Sequence, residues 1–336
     1  MKPSIYITRK IPERALAYLQ ERCTVKMWEK EDEPVPRNVL EREIAYVDGL
    51  YCMLTESVDR KLLDLAGRLK AISNMAVGYN NIDVDDATKK GIAVTNTPGV
   101  LTETTADLTF ALLMAAARRV PEAEQYLKDG KWRTWSPMLL TGQDIYGATL
   151  GIIGLGRIGA AVARRAKGFN MKLVYQNRSA KPELEQELGI ERLELSELLK
   201  ISDFVCVLVP YTPETKNLIN KKQFALMKNT AVLVNTSRGG VVDEDDLYQA
   251  LISNRIWAAG LDVFEREPVP VDHPLLSLSQ VVALPHIGSA SINTRKKDGA
   301  AGCRKYDSST DRKSRGQYHQ SVVRGSSKRV GETALC

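Results

Sequence analysis

Three histidines and five cysteines are few for 336 residues, and their placement excludes more than their number. Cys23, Cys52, Cys206, Cys303 and Cys336 are odd in count, scattered, and form no C-x-x-C pair. Neither a disulfide framework nor a zinc site is expected, and no other metal site is read from the sequence. Long apolar runs are missing too: none approaches the roughly 20 residues that a membrane span needs. The first residues, MKPSIYITRK, enter a strand-like pattern with no signal peptide. Together with unpaired thiols, this predicts a cytoplasmic protein without a membrane partner. Tandem repeats and low-complexity linkers are also absent.

A broad field of one charge is lacking as well. The net charge is +6, yet residues 295–336 hold eleven Lys or Arg against four Asp or Glu. That leaves 36 basic and 37 acidic side chains in the rest of the chain. The basic character lies in the tail, and the body has nothing to steer polyanions, so no nucleic-acid partner is expected.

Apolar residues make up 43% of the chain, and its length exceeds what one core usually serves, so two domains are expected. SIYIT from Ser4, TVKMW from Thr24 and GLYCM from Gly49 read as short buried strands. Between or after them, PERALAYLQER and DRKLLDLAGRL carry apolar residues at helical spacing. KAISNMAVGYNNID and GIAVTNTPGV continue the alternation up to a break near Pro98-Gly99. A long apolar helix follows, TADLTFALLMAAARRV. After Gly147 the alternation restarts, with ATLGIIG, KLVYQ, DFVCVLVP, TAVLVN, WAAGLDV and VVALP as strands. AAVARRAKGF and DEDDLYQALISNR read as helices among them. Repeated strand–helix units predict an α/β protein with two doubly wound parallel-sheet domains.

The sharpest local motif is Gly154-Leu155-Gly156-Arg157-Ile158-Gly159, placed between a predicted strand and a predicted helix. In that setting Gly154 permits the tight turn, Gly156 admits a pyrophosphate to the backbone, and Gly159 lets helix and strand pack. The helix N-terminus then turns unpaired N–H groups toward the phosphates. The next strand, KLVYQ, should end in an acid that binds a ribose diol, but Asn177-Arg178-Ser179 follows it. These side chains can hydrogen-bond a 2′-phosphate that a carboxylate would repel, which favours NADP over NAD with some use of both. A solvated arginine in a surface loop is the other reading of Arg178.

Three further polar residues fall at predicted strand ends, where open α/β sheets bind ligands. Arg238 follows AVLVNTS, Glu267 lies in LDVFEREP, and His286 ends VVALP. Taken singly, each has an ordinary explanation: a surface turn arginine, a solvated loop acid, a satisfied edge histidine.

Taken in order, GLGRIG, VPYTPET, NTSRGG, GLDVFEREP and PHIGSAS resemble the D-isomer-specific 2-hydroxyacid dehydrogenases, as do AVGYNNID and WSPMLLTGQDIYGATLGIIG. The resemblance covers Lys2 to about Thr294, and the glyoxylate/hydroxypyruvate reductases are the subgroup it resembles most. It implies an NAD(P)-dependent reduction of a small 2-oxo acid to the 2-hydroxy acid. Arg238 would bind the substrate's carboxylate and carbonyl oxygen, and the backbone N–H groups of Val77 and Gly78 would hold the carboxylate. His286 would donate a proton to the carbonyl oxygen, and Glu267 would orient its ring and favour its charged form. Cofactor contacts would fall on Leu155 to Ile158, Asn177 to Ser179, Pro210, Thr215, Thr236, Ser237, Asp262 and Gly288.

The resemblance also implies a Rossmann cofactor domain, 100–288, inserted in a flavodoxin-like substrate domain, 1–99 completed by 289–294. Closure of one domain on the other would exclude water. A homodimer is implied, with Trp132 and Trp135 in the segment that crosses to the partner; ordinary core packing is their alternative. Other D-2-hydroxyacid dehydrogenases remain open as readings, of the 2-ketogluconate, D-lactate or phosphoglycerate type. So does a nucleotide-sensing corepressor, against which the neutral body speaks.

From about Arg295 to Cys336 the pattern departs from the family. The expected amphipathic helix is replaced by RKKDGAAGCRKYDSSTDRKSRGQYHQS, polar and without periodicity, and the segment reads as a disordered tail. Suitable codons for Cys303 to Thr310, read one base later, spell AENMIAAL, and Gly316 to Ser321 similarly become GNIINP. A shifted reading frame is therefore expected, with a chain that is poorly soluble or weakly active until the frame near Arg295 to Lys297 is restored. The gene sequence decides this point.

Overall fold

A computed structural model describes residues 2–299 and 302 of the chain. The chain divides into two compact units, residues 1–101 with 291–336, and residues 102–290.

The first unit runs β1 (Ser4–Ile7), α1 (Glu13–Arg22), β2 (Thr24–Met27), α2 (Arg37–Ile44), β3 (Gly49–Cys52), α3 (Arg60–Asp64), β4 (Ala71–Asn74), α4 (Val84–Lys89) and β5 (Ala93–Thr95). All strands pair in parallel in the order β2-β1-β3-β4-β5, the flavodoxin-like arrangement. The inner strands GLYC and AISN are buried at every position, as parallel strands covered on both faces must be. Alternate residues point to opposite faces, so Ile5 and Ile7 join one core with Leu19 and Tyr51. Tyr6 joins the other with Leu40, Leu50 and Ile72.

The second unit opens with α5 (Thr102–Ala117), whose buried residues recur at helical spacing along one broad face, and α6 (Val120–Lys128). It continues β6 (Thr149–Ile153), α7 (Arg157–Lys167), β7 (Lys172–Gln176), α8 (Pro182–Leu188), β8 (Glu191–Arg192), α9 (Leu195–Ile201) and β9 (Phe204–Val207). The remainder is α10 (Lys221–Phe224), β10 (Val232–Asn235), α11 (Glu244–Ile252), β11 (Ala258–Leu261), a 3₁₀ turn (Pro274–Ser277) and β12 (Val281–Ala283). The parallel sheet runs β12-β11-β10-β9-β6-β7-β8. Counted within the unit this is the Rossmann order 3-2-1-4-5-6 with a seventh strand beyond the sixth. The order reverses between β6 and β9, which opens a crevice at their carboxyl ends.

Two expectations are corrected here. Core packing of Trp132 and Trp135 is excluded, because they are 56% and 77% exposed between α6 and β6. The atypical tail does not begin as disorder at Arg295: residues 292–299 are helical. Ser291 starts this helix by accepting from the Thr294 amide through its hydroxyl and from the Arg295 amide through its carbonyl. Its packing is polar and glycine-dependent rather than amphipathic. Tyr51 donates to the Gly299 carbonyl, Ser73 donates to the Gly302 carbonyl, and a Cβ on Gly302 would lie 2.6 Å from the Tyr51 hydroxyl. The rest of the frame-shift expectation lies outside the described residues.

Candidate active site

The crevice between β6 and β9 begins at the glycine-rich turn. Gly154 has a φ of +102°, and a Cβ there would meet the Leu208 carbonyl at 2.8 Å. A Cβ on Gly159 would lie 2.4 Å from the Gly154 carbonyl oxygen, so only glycine lets α7 pack this closely on β6. Gly156 caps α7, and a Cβ there would enter open space. Arg157, Ile158 and Gly159 supply first-turn amides with no intrahelical acceptor, and Leu155 is buried beneath. The turn thus leaves room for a pyrophosphate against a positive helix end. These features fit a dinucleotide.

Asn177, Arg178 and Ser179 follow β7. The Asn177 side-chain amide donates to the Ser179 carbonyl at 3.1 Å. Arg192 of β8 donates to the carbonyls of Asn177 and Arg178 at 3.0 and 3.3 Å, bringing a second guanidinium to this loop. That residue has no motif around it and escapes a sequence reading. After β9, the Thr215 hydroxyl donates to the Pro210 carbonyl at 2.7 Å and accepts from the Thr212 amide, folding the YTPET loop onto itself.

Beyond β10 the chain turns through Asn235, whose side chain accepts from the Ser237 amide and hydroxyl and donates to the Arg238 carbonyl at 3.0 Å. Thr236 is buried against Thr109 of α5, hydroxyl to hydroxyl at 2.7 Å. Arg238 donates to the Ser237 carbonyl. Burial lowers its pKa, opposed by the charge of Glu267, but a guanidinium starts so high that it remains a cation.

Glu267 and His286 meet directly: Nδ1 of the ring lies 2.7 Å from Oε2 of the carboxylate. The other oxygen of Glu267 accepts from the Phe264 amide at 3.0 Å. Burial pushes the Glu267 carboxyl up, but His286, the Phe264 amide and Arg238 outweigh it and hold the acid below its ordinary value. His286 itself has a φ of +53°, a left-handed conformation that a side chain adopts only under constraint. Asp262 supplies the constraint, since its two oxygens accept from the Ile287 and Gly288 amides, each at 2.7 Å. Burial raises the Asp262 carboxyl, and those two amides oppose it. With Nδ1 on the acid, Nε2 makes no hydrogen bond among the described residues.

Val77 and Gly78 belong to the first unit, in the loop after β4. Asn96 donates to the Val77 carbonyl and Asn74 to the Gly78 carbonyl, each at 2.8 Å. Asn81 anchors the loop from the far side through the carbonyls of Met53 and Glu56. Both loop carbonyls are thus held by side-chain amides. The N–H groups of Val77 and Gly78 donate to no protein acceptor among the described residues. These three asparagines were not anticipated, because they act on backbone groups several residues away. Among the described residues, no group of three or more His, Cys, Asp or Glu could hold a metal ion.

The model of the "D-isomer specific 2-hydroxyacid dehydrogenase, NAD binding domain" matches residues 110–288. A glyoxylate reductase from Korarchaeum cryptofilum is 53% identical over 298 residues, which are 88% of this chain and 90% of that protein. A crystal structure of a glyoxylate reductase from Paecilomyes thermophila is similar with a TM-score of 0.83 and 32% identity, covering 93% of this chain and 96% of that one. An NADPH-dependent glyoxylate/hydroxypyruvate reductase from Sinorhizobium meliloti, in complex with NADP and malonate, has a TM-score of 0.78 and 34% identity over 94% of both chains. Motif order, sheet order and these similarities agree, and the chain belongs to the D-isomer specific 2-hydroxyacid dehydrogenase family.

Proposed function

We propose that this chain reduces glyoxylate or hydroxypyruvate to the achiral or D-type 2-hydroxy acid, with NADPH preferred and NADH accepted. The observation that carries the reading is the 2.7 Å contact of Glu267 with Nδ1 of His286, which leaves Nε2 for the substrate. When bound, the nicotinamide supplies the hydride that reaches the carbonyl carbon. His286 holds the proton at Nε2 and delivers it to the carbonyl oxygen, while Glu267 fixes the ring and balances its charge. Arg238 engages the carboxylate and the carbonyl oxygen with the paired N–H geometry that lysine lacks. The N–H groups of Val77 and Gly78, residues whose carbonyls Asn96 and Asn74 hold, are assigned to the carboxylate as well, as the family resemblance implies. Charge develops on the oxygen during hydride arrival, and fixed donors stabilise it most at that moment.

Support for NADPH comes from the lack of an acid after β7 and from the cations Arg178 and Arg192 at that loop. The NADP bound to the Sinorhizobium relative agrees with it. The remaining cofactor contacts are assigned to Pro210, Thr215, Thr236, Ser237, Asp262 and Gly288. A cytoplasmic homodimer is the assembly proposed. The exposed Trp132, Trp135, Met138 and Tyr146 offer apolar surface to a second copy. Among the described residues, no helix is long and apolar enough to cross a membrane.

The test is loss of nicotinamide absorbance with NADPH and NADH across a panel of 2-oxo acids, including pyruvate and 2-ketogluconate. Glyoxylate or hydroxypyruvate should give the highest kcat/KM. No turnover of any 2-oxo acid overturns the reading, and a clear preference for pyruvate or 2-ketogluconate moves the chain to another branch of the family.

A further inference from the structure

A second acid–imidazole pair lies behind the first. Glu244, at the start of α11, directs Oε2 to Nε2 of His273 at 3.1 Å and accepts from the Glu265 amide through Oε1 at 2.6 Å. One carboxylate therefore fastens both ends of the segment 265–273, and Glu267 lies inside that segment. His273 is anchored in turn: its amide donates to the Pro270 carbonyl at 3.0 Å, and its carbonyl accepts from the Leu276 amide at 2.9 Å. Its ring stands edge-on to Phe264, with centroids 6.0 Å apart.

The peptide joining Phe264 to Glu265 is where these contacts converge. Its neighbouring amides each end on a carboxylate, Phe264 on Glu267 at 3.0 Å and Glu265 on Glu244 at 2.6 Å. The Arg238 turn rests on the same peptide. A Cβ on Gly239 would fall 1.9 Å from the Phe264 carbonyl carbon and 2.3 Å from the Glu265 nitrogen, so no side chain can separate the two. A displacement of this peptide would move Glu267 and the Arg238 turn together. Glu244 is also costly to place there. Burial and the neighbouring charge of Glu265 push its carboxyl up, and the Glu265 amide and His273 oppose them.

We propose that Glu244, held by His273, is a positioning residue that clamps the 265–273 segment and thereby sets both the Glu267–His286 pair and the Arg238 turn. The inference rests on the reduction reading above. Neither residue touches substrate; they act through a peptide. A misplacement of about 1 Å in such a site costs on the order of a hundredfold in rate.

The experiment uses the full chain and compares Glu244→Ala, Glu244→Gln and His273→Asn with the wild type. The readouts are kcat, KM for the 2-oxo acid, KM for NADPH, the pH profile of kcat/KM, thermal midpoint, and amide exchange at Phe264 and Glu265. Glu244→Ala should lower kcat by roughly 10- to 100-fold and raise the 2-oxo acid KM several-fold, leaving the NADPH KM unchanged. It should also move the acid limb of the profile to higher pH, because a displaced Glu267 loses part of what holds its carboxyl below the ordinary value. Glu244→Gln keeps an oxygen acceptor for the Glu265 amide and should recover most of the rate. His273→Asn should fall between them. A merely structural role would lower the thermal midpoint and leave kcat and the pH profile of the folded protein in place; that result overturns the proposal. Should Glu244→Ala not fold, wild-type kcat and profile in both Glu244→Gln and His273→Asn overturn it equally. A wild type inactive on every 2-oxo acid refutes the reduction reading instead, while faster exchange at Phe264 and Glu265 in the variants still registers the clamp.

Discussion

The two units are the same kind of object made twice, parallel sheets with loops at their carboxyl ends, yet those ends are equipped differently. In the first unit the loop after β4 is held by three neutral asparagines and presents bare backbone amides. In the second, successive strand ends deliver Arg238, Asp262, Glu267 and His286, each charged or chargeable and each fixed by a partner. Architecture supplies the place where a ligand can sit, and side chains at that place decide the chemistry. On the proposed reading the first unit grips an anion, which needs no titratable group, and the second moves a proton, which needs one held still.

His286→Ala tests the difference most strongly. Loss of one general acid should reduce the rate by about a hundred- to ten-thousandfold, measured as kcat at neutral pH on a folded variant. Near-wild-type turnover would mean that the proton comes from elsewhere. The matching change in the first unit, Asn96→Ala, removes one hydrogen bond to the Val77 carbonyl and should raise the 2-oxo acid KM by several-fold, corresponding to about 1 kcal/mol. A kcat loss in Asn96→Ala as large as that in His286→Ala would break the division between gripping and proton transfer.

Much of this was legible before any coordinates. Buried parallel strands are nearly continuous apolar runs, so SIYIT, GLYCM, ATLGIIG and DFVCVLVP stand out, and each contains an observed strand. Residues at strand ends with motif context, Arg238 and Glu267 among them, were legible for the same reason. The short helices Arg37–Ile44 and Leu195–Ile201 span only about two turns, too few for their apolar spacing to stand out. Asn74, Asn96 and Asn81 were invisible because they satisfy carbonyls, and a carbonyl leaves no trace in a sequence. Glu244 and His273 lie 29 positions apart and meet only because α11 and the loop after β11 fold to one side of the same peptide. Pair contacts of that kind need the fold first.

Cofactor choice gives a smaller effect within the second unit alone. Asn177→Asp places a carboxylate where the ribose diol would bind and a 2′-phosphate would be repelled. The ratio of kcat/KM for NADPH over NADH should fall by about tenfold, the size of one such contact at an exposed loop. The substitution removes the side-chain donor to the Ser179 carbonyl, while the carbonyls of Asn177 and Arg178 keep their bonds from Arg192. A wild type that already favours NADH strongly would remove the argument for Asn177, Arg178 and Ser179 and leave the fold untouched.

The smallest effect concerns a buried carboxyl in the first unit. On the helix over residues 292–299, Thr294 and Asp298 face inward at i and i+4, while Ile292 is 75% exposed. That is the reverse of what an amphipathic helix needs. Asp298 is fully buried, with the Thr97 hydroxyl nearby but no well-formed hydrogen bond to either carboxylate oxygen. Burial therefore raises its pKa, with partial relief from Thr97 and the charge of Arg295. The sign follows from linkage. A carboxyl whose folded pKa lies above its unfolded one takes up a proton on folding, so it favours the native state only in acid. That contribution fades as pH rises through the ordinary carboxylate range and then through the raised folded value. At pH 7 the buried charge is a net cost, and Asp298→Ala should stabilise the protein by about 1 kcal/mol, at the low end for a poorly satisfied buried group. The gain should shrink as urea unfolding is repeated at falling pH, because the buried carboxyl regains its proton before an ordinary one does. A variant less stable than the wild type at pH 7 would show that the buried carboxyl is not a net cost to this fold.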